Sequence, residues 1–141
     1  MDTMLPIGSV VELEGFKEYV VIIGLFPAFV EDNKTVVYQY VGCNYLKGYR
    51  SVDDYIFFDE SKIKNVYYIG YAIEFDFIFL KVLYEIYQQL NSGKDFMMAI
   101  DEVCKKAEPN NSEKYNELKK KVYDYYFTDN SNEAKVRQGD W

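Results

Sequence analysis

The spacing of apolar and polar positions changes character near Gly70. Upstream of it, short runs rich in Val, Ile, Tyr and Phe are separated by polar stretches, and six of the eight glycines, Gly70 included, punctuate them. That is a strand-and-turn pattern. Val10–Leu13 predicts a first strand, turning at Gly15. Residues 18–25 predict a second, and its Tyr19-Val20-Val21-Ile22-Ile23 run is apolar enough to be buried on both faces. Pro27 ends it, and Glu31-Asp32-Asn33-Lys34 reads as a polar turn before a third strand at 35–41. A loop around Lys47-Gly48-Tyr49-Arg50 leads to strands near 54–58 and 64–69, with a turn or a single helical turn at Asp59-Glu60-Ser61-Lys62.

Beyond Gly70 the period becomes helical. Phe75, Ile78, Phe79, Val82, Leu83, Ile86, Tyr87 and Leu90 recur every three or four residues, a wide apolar stripe on one helix. Ser92-Gly93 stops it, and Ser92 is the expected cap of a second helix carrying Phe96, Ile100, Val103 and Ala107. Pro109-Asn110-Asn111 closes that helix, and a third follows at Ser112–Phe127. Residues 128–141 lose the period and read as a polar tail ending in Trp141. The expected architecture is α+β: a mostly antiparallel five-stranded sheet or small open barrel over residues 1–71, then two or three helices over 72–127, all in a single domain. The expected core is Val11, Leu13, Val21, Ile23, Val37, Ile56, Phe58, Val66, Ile69, Phe79, Leu83 and Ile86.

Composition narrows the function. Of 141 residues, 49% are hydrophobic and 28% charged, which is globular composition. A net charge of −7 disfavours nucleic acid as partner, because phosphate binding depends on Lys and Arg displacing counterions. The one basic run, Lys119-Lys120-Lys121, lies on a mixed-charge helix and reads as a solvated face. No stretch approaches the ~20 uninterrupted apolar residues of a membrane span, and the N-terminus lacks a secretory pattern, so a soluble, cytoplasmic protein is expected.

Candidate chemistry is sparse. The sequence has no histidine, which removes the commonest general base and the commonest metal ligand. Cys43 and Cys104 stand apart, outside any CxxC pair, and read as inert thiols. The adjacent carboxylates Asp53-Asp54 and Asp59-Glu60 read as polar turns, not as an acid/base pair or a calcium loop. No glycine pattern for phosphate occurs. The expectation is a non-enzyme without metal or cofactor.

Aromatic residues are in surplus at 18%, including fifteen Tyr and ten Phe. Tyr packs its ring while its hydroxyl stays wet, so it serves half-buried strands and protein interfaces alike. Tyr84 and Tyr87 share one side of the first helix; on the third, Tyr123 and Tyr126 share a side and Tyr125 is turned away. With Tyr45 and Tyr49 of the Tyr45–Arg50 loop, these are the candidate protein-binding residues.

The upstream half also resembles a known family. Leu5-Pro6-Ile7-Gly8-Ser9-Val10-Val11, Val21-Ile22-Ile23-Gly24, Tyr38-Gln39-Tyr40-Val41-Gly42, Ile56-Phe57-Phe58-Asp59 and Val66-Tyr67-Tyr68-Ile69-Gly70-Tyr71 are similar, in order and spacing, to a domain of unknown function. In Gram-positive bacteria that family is encoded beside LXG-type toxins and type VII (ESX/Yuk) secretion genes. The resemblance covers residues 5 to about 75 and implies a cytoplasmic chaperone or targeting adaptor that holds a cognate toxin before export. It carries no catalytic residues. The alternatives are an immunity protein whose acidic surface plugs a toxin site, and a small carboxylate- or Tyr-dependent enzyme.

Overall fold

A computed structural model describes residues 2–127. The chain divides into two compact units, Met1–Tyr87 and Gln88–Trp141, with the boundary inside one helix. The tail at 128–141 lies outside the described residues.

The first unit is built on a five-stranded open antiparallel sheet. Its strands are β1 (Val10–Leu13), β2 (Val20–Leu25), β5 (Tyr40–Asn44), β6 (Ile56–Phe58) and β7 (Ile63–Tyr68), in the order β6-β5-β2-β1-β7. A separate ribbon pairs β3 (Ala28–Glu31) with β4 (Lys34–Val37). Helix α1 (Glu74–Asn91) follows, and the α+β class is as the sequence predicts. In its first four turns α1 buries Leu80, Val82, Leu83 and Ile86. It is tied to the sheet unit by the Met4 N–H, which reaches the Leu80 carbonyl at 3.5 Å.

The buried face of the sheet carries Val11, Leu13, Val20, Ile22, Tyr40 and Phe58. Here the sequence reading needs correction. Ile23, Val37, Val66 and Ile69, expected in the core, are 36%, 43%, 40% and 55% exposed, while Val21, Ile56 and Phe79 are half-buried. In β2 the even-numbered residues face inward, a one-residue difference in phase that exchanges every side chain between faces. The phase is set at the strand's start: the Gly8 N–H donates to the Ile22 carbonyl (2.8 Å) and the Ile22 N–H to the Ser9 carbonyl (2.8 Å). Val37 lies on the separate ribbon, and Val66 sits on the edge strand with Ile69 just past its end.

The strand expected at 35–41 is in fact two. Between them Gln39 is buried; its N–H donates to Asp59 Oδ1 (3.0 Å), and its Oε1 accepts the Glu60 N–H (2.7 Å). That pull takes the chain out of β4 and into the main sheet. Pro27 ends β2 as expected, but four residues then form β3. The polar turn between β3 and β4 places Asp32 and Asn33 at φ 52° and 63°, the left-handed pair that a two-residue hairpin demands.

The turn preceding β1 depends on two glycines. Gly8 has φ +94°, and at Gly70 a Cβ would stand 2.3 Å from the Ile7 carbonyl oxygen. Buried Ser9 Oγ accepts the Gly70 N–H at 2.9 Å. The two ends of the motif series, Leu5–Val11 and Val66–Tyr71, therefore meet at a contact that tolerates no side chain.

The second unit holds the end of α1 with α2 (Phe96–Ala107) and α3 (Ser112–Phe127), and buries Ala99, Ile100, Val103, Cys104 and Val122. Gly93 (φ +90°) closes α1, and the Lys94 N–H returns to the Gln89 carbonyl. Asp95, not Ser92, caps α2, accepting the Met98 N–H at 3.2 Å, while the Ser92 hydroxyl turns back to the Gln89 carbonyl. Asp101 links the two helices by accepting from the Tyr115 hydroxyl and from Lys119 (3.0 Å).

Candidate protein-binding surface

Strand alternation puts Tyr19, Val21, Val41, Cys43, Tyr45, Tyr55 and Phe57 on the sheet face opposite the buried set, as the pairs Val21↔Cys43 and Val41↔Phe57 require. On β7, Tyr67 and Asn65 share that face with Glu12: the Tyr67 hydroxyl and Asn65 Nδ2 both donate to Glu12 Oε1 at 2.9 Å.

The rings form two runs. In one, Tyr19 stacks on Tyr67 (4.5 Å between centroids) and leans on Tyr45 (5.8 Å). In the other, Tyr49 stacks on Tyr55 (5.2 Å), and Phe57 touches both Tyr55 (6.2 Å) and Tyr38 (6.1 Å). Tyr45, Tyr49 and Tyr67 remain 50%, 53% and 52% exposed, so the face is ordered by ring contacts yet open to solvent. Cys43 lies beneath it, buried, and burial pushes its thiol above the usual range, which keeps it protonated and inert.

Electrostatics at this face are mild. The Asn65 amide, then the Tyr67 hydroxyl and Lys64, hold the Glu12 carboxyl below its ordinary value. The same hydrogen bond pushes the Tyr67 phenol up to about 12. One carboxylate of each pair singled out in the sequence serves the backbone. Asp54 Oδ2 accepts the Arg50 and Ser51 N–H groups (2.7 and 2.9 Å), and Asp59 Oδ1 accepts the Gln39 N–H. Among the described residues, no group of three His, Cys, Asp or Glu side chains is placed to hold a metal ion, and no helix is long and apolar enough to cross a membrane.

Residues 4–79, more than half of the chain, match the family described as a domain of unknown function, DUF4176. The chain belongs to that family. No curated protein and no solved structure matches it. The DUF4176 region contains the whole five-stranded sheet and the first six residues of α1, hence the whole aromatic face.

Of the seven tyrosines singled out in the sequence, Tyr45 and Tyr49 fall inside the DUF4176 region and on this face. The other five lie outside it. Tyr87 is buried and Tyr84 half-buried, a correction to their expected exposure. Their hydroxyls donate to Asp59 Oδ1 (3.3 Å) and Glu60 Oε1 (2.8 Å), so they bind α1 to the turn before β7. Tyr123 stacks on Phe127 (5.8 Å) and Tyr126 meets Phe96 edge-on (4.9 Å), while Tyr125 is 38% exposed. These three belong to the second unit. Sequence reasoning missed Tyr19, Tyr55, Phe57 and Tyr67; alternation against the inward Phe58 was an available signal for Phe57, while Tyr19 shares the parity of Val21 and Ile23, which the apolar run of β2 placed in the core.

Proposed function

We propose that this protein is a non-catalytic protein-binding factor, a cytoplasmic chaperone or targeting adaptor for a type VII-secreted toxin of the LXG type. The observation that carries the reading is the outer sheet face: paired tyrosine rings, exposed yet pre-stacked, above a buried and unreactive thiol. Rings held by their neighbours lose little freedom on contact with a partner, and Tyr is among the residues that dominate interface energies. The class of client follows only from the resemblance to proteins encoded beside such toxins, which falls within the DUF4176 region. The client would lay an apolar surface across the Tyr19–Tyr45–Tyr67 run before export.

The test is co-purification of the tagged chain with the toxin encoded by the adjacent reading frame. Replacing Tyr19, Tyr45 and Tyr49 by Ser should abolish capture and toxin export while leaving the folded spectrum intact. A chain that is needed for survival of the toxin-producing cell, and not for export, would instead be an immunity protein.

A further inference from the structure

Where β2 begins and β5 ends, a cleft of about 270 Å³ opens beside Tyr19, Tyr45 and Leu46, with Lys17 and Lys47 also in its lining. The Tyr45 N–H donates to the Tyr19 carbonyl (3.1 Å), which holds the two backbones together. Asn44 shapes the turn that follows: its Oδ1 accepts the Leu46 and Lys47 N–H groups, both at 2.9 Å. Its amide nitrogen donates to the Glu18 carboxylate, the one carboxylate that lines this cleft. Glu18 is thereby engaged. Leu46 is 77% exposed, an apolar side chain for which the fold provides no cover.

The two lysines are left over. Both are exposed, and neither forms an ion pair with a described residue. Lys47 acts on Asp54 only through space, and Asp54 Oδ2 already accepts the Arg50 and Ser51 N–H groups. In a chain of net charge −7, a cleft with two unpaired lysines and its carboxylate taken runs against the surrounding field. At contact the local sign wins, because charges beyond about 8–10 Å are screened at ordinary ionic strength.

We propose that this cleft takes a client segment in which a carboxylate neighbours an apolar side chain. The carboxylate sits between Lys17 and Lys47, and the apolar group lies against Tyr19, Tyr45 and Leu46. The inference rests on the binding role proposed above for this face and names the chemistry that the face selects. Lysine stems lie along apolar surface while their ammonium groups stay in water, so the same two side chains serve both halves of such a segment. A segment carrying lysine or arginine at that place would meet like charge.

The experiment is a ¹H–¹⁵N NMR titration of the full chain, to millimolar ligand, with the peptide acetyl-Gly-Phe-Asp-Leu-Gly-amide. Companion peptides replace Asp by Asn, replace it by Lys, or combine Asn with a free C-terminal carboxylate. The Asp peptide should shift the amide signals of Tyr19, Tyr45, Leu46 and Lys47, and the amidated Asn and Lys peptides should bind about fivefold or more weakly. Binding of the Asn peptide only with a free C-terminus would support the proposal too, and assign the carboxylate to a chain end. K17E/K47E, its fold checked by circular dichroism, should reverse the order and prefer the Lys peptide. K114E/K120E makes the same change in net charge on α3 and should leave the order as in wild type. No shift at those amides with either carboxylate peptide would overturn the proposal. So would a wild type that binds the Lys peptide as well, or a K17E/K47E effect that K114E/K120E reproduces. Toxin co-purification separates this inference from the reading it rests on. Capture lost on replacing the tyrosines but indifferent to K17E/K47E would keep the binding role and overturn the carboxylate preference. Lysine-dependent peptide binding without toxin capture would do the opposite.

Discussion

The two faces of the five-stranded sheet use the same residue type to opposite ends. On the inner face Tyr40 is wholly buried, stacks on Phe58 (5.4 Å), and its hydroxyl accepts the Leu5 N–H at 2.9 Å. Burial, first of all, pushes that phenol up to about 12. On the outer face Tyr67 keeps about half its surface in water, and its hydroxyl donates to the half-buried Glu12 carboxylate. One tyrosine satisfies a buried backbone donor. The other is a contact surface whose polar end remains wet. Ring number therefore says little about function; what the hydroxyl is bonded to says more.

The sharpest way to test that division is to cut both faces. Ile22→Ala or Leu83→Ala removes a fully buried side chain, and each should cost about 2–5 kcal/mol of unfolding free energy, read by urea denaturation. Tyr19→Ser or Tyr45→Ser should cost less, about 1 kcal/mol, since 36% and 50% of these residues stay in water after folding and their rings close no cavity in the core. Comparable losses on both faces would show the outer rings to be core. Client binding should show the reverse order: about 2 kcal/mol or more lost on truncating an outer ring that acts as a hot spot, measured by calorimetry. Between these extremes falls Tyr40→Phe. It keeps the ring but leaves the buried Leu5 N–H without its acceptor, and should cost about 1–3 kcal/mol.

The elements were legible in the sequence wherever one physical signal dominated. Helix α2 ends just before the Pro109-Asn110-Asn111 break, and β1 is bounded by its glycine turns. The inward phase of β2 was hidden because Val20 to Ile23 are all apolar, and the hydrogen bonds of Ile22 with Gly8 and Ser9 decide between the two faces. The division of 35–41 depended on Gln39, a polar residue whose N–H and side-chain oxygen find their partners 20 or more positions downstream. Of the site, Tyr45 and Tyr49 were legible as ring-bearing loop positions. Tyr84 and Tyr87 looked spare because their hydroxyl partners, Glu60 and Asp59, belong to a turn that helix periodicity does not see.

The smallest expected effect sits at the rim of the outer face, where Glu12 meets Asn65, Tyr67 and Lys64. Its carboxyl is held low when folded, so it contributes stability that is complete above the unfolded value of about 4.3 and is lost as pH falls through the folded value. Tyr67 runs the other way. Its folded value of about 12 lies above the ordinary 10, so its contribution is complete below pH of about 10 and is lost as pH rises from there to 12. Together they predict a plateau of stability with a shallow fall at each end. Glu12→Gln should flatten the acid limb, because the titrating group is gone. It should also move the onset of the alkaline limb, because a neutral amide opposes tyrosinate less than a carboxylate does. The check is urea unfolding from pH 3 to pH 11, wild type against variant. Since neither Glu12 nor Tyr67 is in the core, the difference should be smaller than that of either Tyr40→Phe or Ile22→Ala. An acid limb unchanged in Glu12→Gln would mean that the outer face is held by its rings alone, and that the hydroxyl of Tyr67 is as free for a partner as its ring.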